Sequence, residues 1–419
     1  MQKTTLDNCI RIVTEFIPYV RSATVGFWLK VGSQDEADEQ LGISHMLEHM
    51  MFKGTASRSA RELAETIDAT GGQLNAYTEK EYTCYYGKVP DEHFSLLIDV
   101  LGDMLLNSVF PEQELEKEKG VVLEEIRMYE DSPEDLVHEG LTQSLLKPHP
   151  ASRGILGTKE TVRCLRREDL LAYYARHYVP ANLVISVVGN VEHGQVVDCV
   201  GRYFSDWKGQ QPPKHSNSQP WGRGRYLKIK DTEQAHICLG VPGLSRKDED
   251  KYALHVLDTA LGGGMSSRLF QNLREERGLV YSTFSYHTCY EEVGTMAVYA
   301  GTSPRNTKQV IRLIREECLR VVREGLRPEE LMRAKEQLKG GLLLDLESMD
   351  TRMSRLALAE LYNERLLTPQ ELIAKIDAVS LEDVQRVAHR LFAEKPFSLA
   401  VVGPIPRGEL LEEAAFETA

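Results

Sequence analysis

Three short matches, in the same order and at nearly constant spacing, divide this chain into two copies of one unit. The strand-like "ATVGFWLKVGS" from Ala23 corresponds to "AHICLGVPGLS" from Ala235, an offset of 212 residues. "LVISVVGN", ending at Asn190, corresponds to "SLAVVGP", ending at Pro404, at an offset of 214; "FPEQEL" from Phe110 corresponds to "LRPEEL" from Leu326 at 216. Each copy must then bury a core of its own, which restricts the fold to architectures that can be built twice within 419 residues. The densest run of turn-forming residues, "SDWKGQQPPKHSNSQPWGRGR" from Ser205, lies between the copies. The expected division is a first domain over 1–208, a linker over 209–225 and a second, homologous domain over 226–419.

Within each copy the pattern runs from an alternating strand pair through helices and a strand hairpin to long helices. It closes on a β-branched strand ending in Val-Val-Gly. "GGQLNAY" (Gly71 to Tyr77) and "YTCYYGKV" (Tyr82 to Val89) flank "TEKE", their turn, and helical spacing follows over 91–107 and 111–129. This pattern predicts an α+β fold: two homologous α/β-sandwich-like domains, each a mixed, largely antiparallel sheet with helices packed on one face.

Composition excludes several function classes. A formal net charge of −13 with scattered acidic residues gives no basic face for nucleic acid. Seven cysteines, widely spaced and without a C-x-x-C pair, read as thiols of a reducing compartment. The first residues, "MQKTTLDNCIRIVTEF", hold no apolar run of the length a secretory signal needs, and no later run predicts a membrane span. The expected location is cytoplasmic.

Chemistry concentrates in "GISHMLEHMMFKGT", residues 42–55. On a helix, His45 and His49 at i and i+4 project from one face, one turn apart, and can reach one metal ion. Glu48 lies between them in sequence, placed to take a proton from a metal-activated water without being a ligand. The order H-x-x-E-H inverts the H-E-x-x-H zinc motif. Taken alone, two such histidines serve equally well as packing residues.

A catalytic zinc site needs a third protein ligand and an open fourth position. The helix "EKEKGVVLEEIRMYED" offers Glu118, Glu124 and Glu125. Three and four positions from Glu125 lie Val121, Val122, Met128 and Tyr129, which predicts a carboxylate on the buried face, in need of a cation. Glu124 has the more polar neighbours Gly120 and Arg127. Glu125 is therefore the expected ligand, with Glu118 two turns earlier on the same face, near enough to orient Glu125 or the histidines. At the offset of 216, Glu118 falls on Ala334 and Glu125 on Gly341, and no H-x-x-E-H occurs after the linker. The second copy keeps the scaffold without the metal residues, which favours function over packing for the first.

These stretches, with "GGQLNAYTEKEYTCYY", "EKGVVLEEIRMYEDSPED" and "GGGMSSRLFQNLREERGLVYS", resemble the pitrilysin-type, or inverzincin, metallopeptidases over nearly the whole chain, and within them the bacterial processing-peptidase-like branch. The resemblance implies one zinc per chain, held by His45, His49 and Glu125, with Glu48 as general base and Glu118 catalytically relevant. It implies that substrate backbone adds to the strand carrying Asn75 and Ala76. It also implies that Arg274 and Tyr281 approach the scissile bond, where Tyr281 can donate to the oxyanion.

Relatives of double length close four such domains around a chamber. A chain of this length is thus expected to form one half of a clam-shell, acting on peptides or unfolded and precursor segments as a homodimer. Arg274 and Tyr281 then work in trans. The competing expectation is a non-catalytic scaffold or peptide-binding subunit on the same fold. One departure from the family pattern is Cys9, where relatives carry the glycine of an Asn-Gly turn.

Overall fold

Runs of β-branched and aromatic residues form eleven strands among the described residues, 1–209 and 224–404 of this computed structural model. The strands are β1 (Gln2–Thr5), β2 (Arg11–Phe16), β3 (Ser22–Leu29), β4 (Gln73–Thr78), β5 (Thr83–Pro90), β6 (Leu183–Gly189), β7 (Arg225–Ile229), β8 (Ala235–Pro242), β9 (Val280–Cys289), β10 (Gly294–Thr302) and β11 (Ser398–Gly403). The α-helices are α1 (Ile43–Met51), α2 (Ala60–Asp68), α3 (Phe94–Asn107), α4 (Glu112–Asp131), α5 (Pro133–Leu146), α6 (Lys159–Cys164) and α7 (Arg167–His177). They continue with α8 (His193–Phe204), α9 (Lys251–Gly262), α10 (Thr307–Glu324), α11 (Pro328–Asp345), α12 (Met349–Leu361), α13 (Pro369–Asp377) and α14 (Leu381–Ala388).

The duplication is written in the sheets. One has the order β1-β2-β6-β3-β5-β4, the other β7-β11-β8-β10-β9. Apart from the added edge strand β1 they superpose strand for strand in connectivity. Each has one parallel pair, β2 with β6 and β7 with β11, and every other pairing is antiparallel. The aligned stretches at 23 and 235 are β3 and β8, and those ending at 190 and 404 contain β6 and β11.

The expectation of helices on one face is corrected: each sheet is covered on both. In the first, one face packs on α1, α3 and α8 through residues such as Met46, Leu47, Leu97, Leu101, Val196 and Phe204. Its other face packs Trp28, Cys84, Val184 and Val188 against Met353, Leu356, Ala357 and Leu361 of α12. The Trp28 indole N–H donates to Met353 Sδ at 3.1 Å, and Ser186 Oγ donates to the Met353 carbonyl at 2.9 Å. In the second, α9, α10 and α14 fill one face, and α5 covers the other with Leu136, Val137, Leu141 and Leu145. The sequence signal was present: "ATVGFWL" and "LVISVVG" are nearly continuous apolar runs, as strands buried on both faces must be, rather than alternating ones.

The compact units do not coincide with the sequence halves 1–208 and 226–419. One comprises Met1–Arg127, the stretch from Arg153 through α8, and Leu344–Leu366; the other comprises Met128–Ser152, the chain from β7 to Leu343, and the chain from Leu367 through β11. Each half thus gives one helix, α5 or α12, to the unit built mainly from the other. The linker expected over 209–225 lies, save for its ends, outside the described residues. The seven cysteines are all free, and among the described residues no helix is long and apolar enough to cross a membrane.

Candidate metal centre

Helix α1 starts where the backbone turns left-handed at Gly42 (φ 91°), a position at which a Cβ would lie 2.6 Å from the Leu156 carbonyl oxygen. Only glycine fits there. The first-turn N–H groups are satisfied by buried Glu36, whose carboxyl accepts from Gly42 N and Ser44 N, each at 2.8 Å. Burial pushes that carboxyl up to about 8. Leu47, Met46, Met50 and Met51 are buried, so the remaining face of this short helix carries His45 and His49 to the unit's polar side.

There the two histidines meet α4. His45 Nε2 and His49 Nε2 each lie 3.7 Å from a carboxylate oxygen of Glu125, and one donor atom from each of the three residues falls within 4.8 Å of the others. These separations are too long for hydrogen bonds and close to the donor spacing of about 3.3 Å that bonds of about 2 Å make at tetrahedral angles. His45 Nδ1 is buried without a hydrogen-bond partner. Burial, with His49 nearby, holds the His45 imidazole down to about 3, so it is neutral, the form that binds metal. The donor set therefore fits a tetrahedral divalent ion with one open position.

The other residues named from sequence are also placed. Glu48 is buried, and its Oε2 accepts from Thr78 Oγ1 at 2.6 Å. Burial raises its pKa, Glu125 adds to the effect, and the Thr78 hydrogen bond and His49 oppose it. Glu118 accepts from His49 Nδ1 at 2.9 Å and pairs with Lys53 Nζ at 2.6 Å. Burial acts to raise its pKa, but Lys53 and His49 outweigh that and hold it low. Glu124 is solvent-facing and paired with Arg127.

The reasoning that singled out Glu125 is corrected in one respect. Of the four apolar neighbours invoked, only Val122 is buried; Val121, Met128 and Tyr129 are exposed. Glu125 sits at the margin of the buried stripe, its side chain 33% accessible, and not inside it.

Asn75 and Ala76 lie on β4, the last strand of its sheet, where Asn75 is exposed and Ala76 half-buried. Arg274 and Tyr281 meet in the second unit. The guanidinium stands 5.6 Å from the Tyr281 ring centroid and 4.9 Å from that of Phe270, and Tyr281 is 74% exposed. Arg274 belongs to a π-helical turn, Phe270–Glu275. Sequence reasoning missed Glu36, Lys53 and Thr78. Lys53 was within reach, since it follows His49 by four residues; Thr78 and Glu36 act across elements and leave no local pattern.

Known proteins resemble this chain along nearly its whole length. Residues 11–159 match the family model described as Insulinase (Peptidase family M16), and residues 165–338 match that described as Peptidase M16 inactive domain. An uncharacterized zinc protease of Bacillus subtilis (strain 168) is 44% identical over 96% of this chain and 98% of its own length. One of Streptomyces coelicolor is 42% identical over 97% of this chain and 90% of its own. The crystal structure of a peptidase M16 inactive domain from Pseudomonas fluorescens shares the fold, with a TM-score of 0.91 at 18% identity, over 97% of this chain and 98% of that one. With its inverted histidine motif, its doubled fold and relatives of this similarity along nearly its full length, the chain belongs to the M16 family, the pitrilysin-type peptidases.

Proposed function

We propose that the chain is a zinc-dependent endopeptidase that hydrolyses peptides or unfolded and precursor segments. The observation that carries this reading is the convergence of His45, His49 and Glu125 with Glu48 on the same helix turn. The relatives named zinc proteases support zinc as the ion, and the three-residue cluster of His45, His49 and Glu125 would hold one per chain. When bound, it lowers the pKa of a water toward neutrality and polarises a substrate carbonyl.

Glu48 takes a proton from the attacking water and delivers it to the departing amine nitrogen as the carbon–nitrogen bond breaks. Thr78 holds the Glu48 carboxylate in place, and Glu118 holds the His49 ring. The backbone of Asn75 and Ala76 offers the open edge of β4 to an extended peptide, which joins the sheet as a further strand. Tyr281 donates to the oxyanion and Arg274 contacts substrate, both supplied by the second chain of a homodimer.

Zinc content and cleavage of a quenched peptide, measured on wild type and Glu48→Gln, test the reading. Both proteins are expected to carry zinc, with cleavage at least ~10²-fold slower in the variant. Wild type that binds zinc and peptide without cleaving would favour a peptide-binding subunit on the same fold. Cleavage by Glu48→Gln at the wild-type rate would remove Glu48 from the mechanism.

A further inference from the structure

Lys53 has no part in the chemistry above, yet its ammonium group is bound into the same chain of contacts. It stands just beyond the end of α1, one turn after His49, with its Nζ 2.6 Å from Glu118 Oε1. The other oxygen of that carboxylate, Oε2, lies 2.9 Å from His49 Nδ1. Both donors come from the end of α1 and the acceptor comes from α4, so the carboxylate ties the two helices together two turns before Glu125. The link is mostly buried: side-chain accessibility is 27% for Lys53, 8% for Glu118 and 18% for His49.

Each contact constrains the next. A carboxylate that accepts at His49 Nδ1 fixes the tautomer with the proton there, leaving the Nε2 lone pair facing Glu125 and His45. It can do so reliably only while it is unable to rotate. A lone carboxylate at this depth pays a desolvation penalty, and a cation on its second oxygen offsets it. With Oε1 on Lys53 and Oε2 on His49, neither oxygen is left to turn toward the ion.

We propose that Lys53 is a positioning residue of the metal centre, acting through Glu118 to hold His49 in its metal-binding tautomer and orientation. The inference rests on the metal-centre reading above. A merely structural ion pair between α1 and α4 would leave zinc affinity unchanged and show only in the unfolding of the metal-free protein.

The test is zinc affinity of the full chain, by competition with a chromophoric chelator, alongside urea unfolding of the metal-free protein. Lys53→Met and Glu118→Gln are each expected to weaken zinc binding ~10–100-fold, the loss typical when the outer partner of a metal-bound histidine is removed. Lys53→Arg, which keeps a cation in reach of Glu118, is expected to recover most of the loss. Because Lys53 acts through Glu118, the double variant Lys53→Met/Glu118→Gln should bind no more than about 3-fold weaker than Glu118→Gln alone.

Wild-type zinc affinity in Lys53→Met, or fully additive losses in the double variant, would overturn the proposal. Should Lys53→Met fail to fold, Lys53→Gln takes its place in the same cycle. His49→Ala separates this inference from the one beneath it. If it binds zinc as well as wild type, the metal centre itself is wrong; if it loses zinc while Lys53→Met does not, only the role of Lys53 fails.

Discussion

Glu330 shows how one carboxylate can fasten a whole segment of chain. It accepts from Arg268 Nε at 3.0 Å and Nη2 at 2.7 Å, and from Arg327 N at 2.8 Å, fastening the stretch that leads six residues later to Arg274. Burial alone would raise its pKa; the hydrogen bonds from Arg268 and Arg327 outweigh that and bring it down to about 2. A carboxyl ionises at about 4.3 in the unfolded chain, so the native state binds fewer protons between those values. The stabilisation is therefore complete above roughly pH 5 and lost as the pH falls toward 2. Glu330→Gln is expected to cost about 3 kcal/mol at pH 7, since the buried Arg268 loses its hydrogen-bonded carboxylate and keeps only the more distant Glu317, 3.8 Å away. Urea unfolding should show the gap to wild type closing between pH 4.5 and 2, and a pH-independent gap would refute the assignment.

At this scale the sequence marked which side chains come together at the metal cluster and not which residues hold them. H-x-x-E-H could be recognised because its three side chains share one helix turn. Thr78 and Glu48 are thirty residues apart and Lys53 and Glu118 sixty-five, and no periodicity reports such pairs. Cys9 was legible as a departure from the family pattern, and its φ of 76° puts it in the left-handed region that favours glycine.

Among the elements, α12 carries the largest consequence. It buries Met353, Leu356 and Leu361 on the far face of the first sheet, against Trp28 and Val184. Leu356→Ala should destabilise the first unit by about 2–5 kcal/mol through the cavity it leaves. Loss of Trp28 fluorescence contrast at a lower urea concentration would report this, and an unchanged midpoint would mean that α12 does not anchor the sheet. Strand positions were legible because alternation and turn residues are local: "TEKE" predicted the β4–β5 hairpin to within a residue or two. Which helix covers which face was not, because α5 and α12 pack on strands far from them along the chain, and helical periodicity marks an apolar face without naming its partner.

For the whole molecule, the duplication was readable from three weak matches because paired β-branched strands conserve their pattern through connectivity. The expected homodimer has a direct test in complementation. Neither Arg274→Ala nor Glu48→Gln should cleave appreciably alone, and mixing the two should restore up to about a quarter of the sites if chains exchange at random and the pairs act in trans. No recovery after verified subunit exchange would place Arg274 and Glu48 in the same chain's site.

The exchange of α5 and α12 also sets an order of events at the ribosome. The first sheet has all six strands once Gly189 has been made, but its second cover, α12, begins about 160 residues later, on the order of 10–30 s at ordinary rates of synthesis. Over the same interval α5 is finished while its sheet is still being made: β8 and β10 appear before α12 does, but β11, the strand beside it, is nearly the last of the described chain to appear. A nascent chain of this kind carries incompletely covered apolar surface on both sheets through a long middle stretch of its synthesis and closes both only near its end, so its yield in a cell should depend on holding chaperones more than its final stability would suggest.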